Sequence, residues 1–142
     1  MTYHEKNIFY GRNISSIIYD SIWGRVRKAI PITGSSLTPV TISSNTASID
    51  FGKVIVGKTK KSGDIVLNLA GTENERVTLT KDIKDAAGVT MAKDLPLEPI
   101  TLTLGKKDVT IELEYTPTTA GQTLNGSLVL TAEYTDAAKD QI

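Results

Sequence analysis

The 142-residue chain is 39% hydrophobic and 23% charged, a composition that excludes a disordered or collagen-like polymer and suits one core of ordinary size. It has no cysteine, which excludes a disulfide framework and a thiolate metal site and leaves apolar burial and strand pairing to stabilise it. Sixteen basic residues balance sixteen acidic ones, yet five basic and two acidic residues fall in residues 1–36, so that segment carries +3 and the remainder −3.

Residues 1–36 are expected to form an arm. Of the eight aromatic residues, Tyr3, Phe9, Tyr10, Tyr19 and Trp23 lie in it, more than its share of a core. Between Asn13 and Lys28, Ile14, Ile17, Ile18 and Ile22 recur at helical spacing, Val26 continues the line and Trp23 lies beside it. Asn13 suits an N-cap, and Arg25, Arg27 and Lys28 sit where the negative end of a helix dipole would favour them. The pattern predicts a short helix of about 24 Å, marginal alone in water, which must lean on its own body or on a partner. Tyr, Trp and Arg are enriched among interface anchors, which favours the partner. The candidate partner-binding residues are therefore Tyr3, Phe9, Tyr10, Arg12, Ile14, Ile17, Ile18, Tyr19, Ile22, Trp23, Arg25, Val26, Arg27 and Lys28. Asp20 interrupts the apolar stripe and the basic cluster is short, so neither a membrane surface nor nucleic acid is the expected partner.

At Ile32-Thr33-Gly34-Ser35-Ser36 bulky residues give way to small ones, and a body of residues 37–142 begins. Apolar residues there alternate with polar ones in Ile65, Leu67, Leu69; Val77, Leu79; Ile100, Leu102, Leu104; Val109, Ile111, Leu113, Tyr115; and Leu128, Leu130, Ala132, Tyr134. Lys84 to Ala92 reads as a loop plus a short strand. Turn residues at Gly57, Gly71, Gly88, Pro96, Gly105, Pro117, Gly121 and Asn125-Gly126 punctuate these runs about every ten residues. The class expected is all-β, an immunoglobulin-like antiparallel β-sandwich preceded by the arm.

Two segments resemble the ASH type of immunoglobulin-like domain, related to the PapD-like and major-sperm-protein sandwiches. Ser48-Ile49-Asp50-Phe51-Gly52-Lys53-Val54-Ile55-Val56-Gly57 is similar to that family's opening signature, with Ile65-Val66-Leu67-Asn68-Leu69 as the strand after it. Leu104-Gly105, Val109 to Pro117, Ala120-Gly121 and Gly126 to Leu130 are similar to its closing strand, its corner and the strand that follows. The resemblance covers about residues 47–134 and implies a scaffold or adhesion module. Members continue into a further strand, whereas here Tyr134 is followed by a polar tail, Thr135 to Ile142. That edge is expected to be filled by Thr38 to Ser43 of the same chain, or else by a strand from another subunit.

The only histidine is His4, so the usual general base and thiol nucleophile are missing, and Glu112 and Glu114 on one strand face read as solvated acids. No enzymatic activity, cofactor, metal or small-molecule substrate is expected; the expected partners are other protein subunits, capsid or scaffold proteins, or a second copy. Residues 1–30 lack a secretory signal pattern, and Met1-Thr2-Tyr3 reads as a cytosolic start, although a removed signal would place the chain outside the cell. A cytosolic start, no cysteine, one small domain and an arm together suggest a virion structural protein of a bacteriophage. A capsid decoration or auxiliary subunit assembled in host cytoplasm fits best. The alternatives are an intracellular ASH-type scaffold and a secreted fimbrial or surface subunit exchanging strands.

Overall fold

The computed structural model describes residues 16–19 and 24–142. The chain divides into two units, Met1–Ser36 and Leu37–Ile142. In the first, β1 (Ser16–Tyr19) and β2 (Val26–Ala29) pair antiparallel, Ser16 opposite Ala29 and Tyr19 opposite Val26. At the described residues of the span Asn13 to Lys28, where a helix is expected, the chain is paired strand and turn instead. Ile17, Ile18, Tyr19 and Val26 are β-branched or aromatic and favour extended backbone, and Gly24 takes a left-handed φ of +66° that a continuous helix does not accommodate.

The second unit is built from antiparallel strands: β3 (Thr41–Ser44), β4 (Lys60–Lys61), β5 (Ile65–Ala70), β6 (Arg76–Lys84), β7 (Val89–Lys93), β8 (Ile100–Thr101), β9 (Lys106–Tyr115) and β10 (Ser127–Tyr134). In the larger sheet β9 is central. It pairs with β5 from Ile65 opposite Ile111 to Ala70 opposite Lys106, with β4 at Lys60 opposite Tyr115, and with β7 at Val89 opposite Tyr115. β3 lies on the far side of β5. Between β4 and β5, Ser62, Gly63 and Asp64 stand against Glu112 and Leu113, a bulge in which Gly63 takes φ +87°. Ser62 makes good the interrupted ladder: its N–H donates to the Leu113 carbonyl at 2.8 Å and its Oγ accepts from the Leu113 N–H at 3.0 Å.

The smaller sheet has the order β10-β6-β8, with Ser127 opposite Lys84 through to Tyr134 opposite Val77. Both sheets feed one core: Ile65, Leu67 and Leu69 of β5 and Val109, Ile111 and Leu113 of β9 bury with Val77, Leu79, Ile100 and Leu102 from the smaller sheet and its connection. These are the inward positions that the alternation marks.

Two expectations fail in detail. The run Ile100, Leu102, Leu104 is not one strand: after Thr101 the chain makes a 3-10 turn over Thr103–Gly105, and Leu104, at φ +57°, is 79% exposed. Thr38 to Ser43 does not fill the edge beside Tyr134 either, because β3 pairs with β5 in the other sheet.

Candidate interaction surfaces

Among the candidate arm residues, Tyr3, Phe9, Tyr10, Arg12, Ile14, Ile22 and Trp23 lie outside the described residues. Ile17, Ile18 and Tyr19 fall in β1. Arg25, Val26, Arg27 and Lys28 are exposed at and beside β2, and the chain continues into Ile30 and Ile32, which are 72% and 93% exposed. In extended backbone Ile30 and Ile32 would fall on one side of the chain with Pro31 between them. The helical spacing had pointed to Ile14, Ile17, Ile18 and Ile22 and passed over this pair.

The second surface belongs to β10. Thr135 N–H donates to the Arg76 carbonyl at 2.9 Å, which fixes the phase of the β10–β6 ladder. By alternation Val129, Thr131 and Glu133 aim their backbone groups at β6, whereas Leu128, Leu130, Ala132 and Tyr134 aim theirs at the free edge. Among the described residues β10 has β6 as its only strand neighbour. The same four residues turn their side chains inward, yet they are only half-buried where Leu67 and Ile111 of the larger sheet are sealed. The core is therefore open along this side.

That opening is a cleft lined by apolar side chains together with polar groups, Ser44, Thr46, Ser48 and Asn125 among them. One part, of about 270 Å³, is lined by Ile49, Phe51, Ile83, Val89, Leu113, Leu124 and Leu128; the other, of about 410 Å³, by Ile49, Ile65, Ile111, Leu128 and Leu130 among others. Gly126 and Ser127 border both. Phe51 is held against Tyr115 with ring centroids 5.5 Å apart. The opposite end is tied shut by Tyr134, whose hydroxyl accepts from the Thr72 N–H at 2.8 Å and donates to the Thr38 carbonyl.

Among the described residues the edges at β8, β3 and β7 are blunted. β8 has two residues, β3 has four and follows Pro39, and β7 carries Lys93 beside a register shift between Met91 and Lys93. β10 runs eight residues without Pro, Lys or Arg, its one charge being Glu133. Long regular edges of this kind are the ones open to strand addition.

Charge is organised in exposed pairs. Arg76 grips Asp136 through two hydrogen bonds, of 2.8 and 3.1 Å, and Lys81 and Lys93 meet Asp94 and Asp64 at 2.7 and 2.6 Å. The Arg76 and Lys81 hydrogen bonds hold the Asp136 and Asp94 carboxyls below the usual aspartate range, the Leu95 N–H assisting at Asp94. Glu112 departs from the solvated reading: it is 9% exposed and stands opposite Lys93.

Among the described residues no three His, Asp or Glu side chains converge as a metal site, and no helix is long and apolar enough to cross a membrane. Comparison with protein-family models, curated proteins and solved structures finds no match.

Proposed function

We propose that this chain is a structural protein-binding module, an immunoglobulin-like β-sandwich of the ASH or PapD-like kind whose arm docks on other protein subunits. The observation that carries this reading is that the arm segment Arg25 to Ile32 is apolar and basic and mostly exposed, while the body has the opposite net charge. The setting we propose is a bacteriophage virion assembled in host cytoplasm, with the arm anchoring a decoration or auxiliary subunit to the shell. Chemistry at a small-molecule substrate has no support in the residues: the one histidine is His4 and there is no cysteine.

The test is incorporation into particles. Removal of residues 1–36 should abolish association with the shell while the body keeps its far-ultraviolet strand signature. Binding that survives the truncation, mediated by the body surface, would favour the intracellular scaffold instead. Binding lost together with the strand signature would leave the arm without a separate role and refute the reading.

A further inference from the structure

We propose that the free edge of β10 receives an added antiparallel strand from the arm of a second copy of this chain, with Ile30 and Ile32 seated in the cleft beside Leu130 and Leu128. This rests on the reading of the arm as a protein-binding element and adds a second copy of the chain to the subunits it binds.

Backbone phase selects the direction. Leu128 and Leu130 turn their side chains into the cleft and their N–H and C=O groups toward the free edge. In an antiparallel addition, residues opposite them also face inward and direct their own N–H groups to β10. Ile30 and Ile32 then bond to the ladder, and Pro31, which has no N–H, falls at the outward position where that group would have pointed to solvent. A parallel addition would require the Pro31 N–H. The arm is thus compatible with one direction.

Side chains select the register. With Ile30 opposite Leu130, Ile32 meets Leu128, and continuation into β2 brings Arg27 opposite Glu133 and Val26 opposite Tyr134. Lys28 meets Ala132, beyond the β10 residues that line the cleft, so its stem can follow the strand with the ammonium in water. The two parts of the cleft, about 270 and 410 Å³ and open to solvent, are each large enough to receive an aliphatic side chain. Net charges of +3 on the arm and −3 on the body draw unlike ends together. The interface joins different surfaces of the two copies, so it propagates head to tail into a ring or filament.

The cysteine-free sequence provides a direct test. Ala29 and Thr131 would form a non-hydrogen-bonded cross-strand pair with Cα atoms about 4.5 Å apart, within disulfide range. Full-length Ala29→Cys and Thr131→Cys proteins, mixed and oxidised, should cross-link with each other much faster than Ala29→Cys does with Ser43→Cys on the edge of β3. In sedimentation, the wild-type chain should associate increasingly with concentration, and Ile30→Asp with Ile32→Asp should weaken that association about thirtyfold or more, the scale of a hot-spot loss. The proposal is overturned if the wild type stays monomeric, if the Ser43 control cross-links equally, or if Thr131→Cys copies link mainly to one another. It is equally overturned if the double variant Ala29→Cys/Thr131→Cys closes within one chain. Should the arm bind shells while Ala29 and Thr131 never cross-link, the functional reading stands and this one falls.

Discussion

Replacing Tyr134 by Phe removes one oxygen from the point where the two sheets are tied. That oxygen accepts from the Thr72 N–H at 2.8 Å and donates to Thr38, whose own N–H reaches Thr72 Oγ1 at 2.7 Å. Thr72 follows β5 and Thr38 precedes β3, so one phenol on the smaller sheet fastens two connections of the larger. It is seated against Gly71, where a Cβ would come within 2.5 Å of the hydroxyl and 3.0 Å of Leu102 Cδ1. The exposed Thr38 carbonyl regains water, whereas the half-buried Thr72 N–H loses its partner, so the substitution should cost about 1–2 kcal/mol. Urea unfolding should show a lower midpoint at unchanged slope, and the melting temperature should fall by about 4–8 °C per kcal/mol in a domain of this size. The Thr72 amide should also exchange faster. A loss below about 0.5 kcal/mol, the range of an inert surface change, would refute the tie.

Leu102→Ala should destabilise the body by about 2–5 kcal/mol in the same assay, because Leu102 is fully buried and its removal leaves a cavity. Gly126→Ala should cost about 1–3 kcal/mol, since the new methyl group would be driven into the Lys84 and Asp85 carbonyls, 2.5 Å away at Asp85. Because the Asp94 and Asp136 carboxyls are held low by Lys81 and Arg76, their contribution is full above the ordinary aspartate range and disappears as pH falls below it. Stability should therefore decline between about pH 5 and pH 2, and Asp94→Asn should flatten that decline in acid titrations followed by circular dichroism.

The strands that were legible are those with one wet face. Asp108 to Tyr115 alternates because β9 has the core on one side, and Ile65 to Leu69 and Leu128 to Tyr134 alternate for the same reason. Leu104 follows the same period but leaves the strand, since a turn is set by backbone φ at Leu104 and Gly105 and not by polarity. In the arm, isoleucines at helical spacing are also β-branched, and pairing across Gly24 decides for the strand. Glu112 reads as solvated because its cover, including Lys93 of β7, comes from residues distant in sequence. The cleft was illegible for that reason too: it exists because Ile49 and Phe51 are brought near Leu128 and because β3 chooses β5 over β10. The polar tail after Tyr134 is the one local sign of a missing neighbour.

The most direct test of an unpaired β10 edge is residue-resolved hydrogen exchange in full-length chain carrying Ile30→Asp and Ile32→Asp, compared with wild type at high concentration. In the variant, the amides of Val129, Thr131 and Glu133 should be protected by β6 while those of Leu128, Leu130 and Ala132 exchange freely, and in the wild type the second set should gain protection. Leu128 and Leu130 amides as slow as Thr131 in the variant would mean that the edge is already covered within a single chain, which contradicts the account.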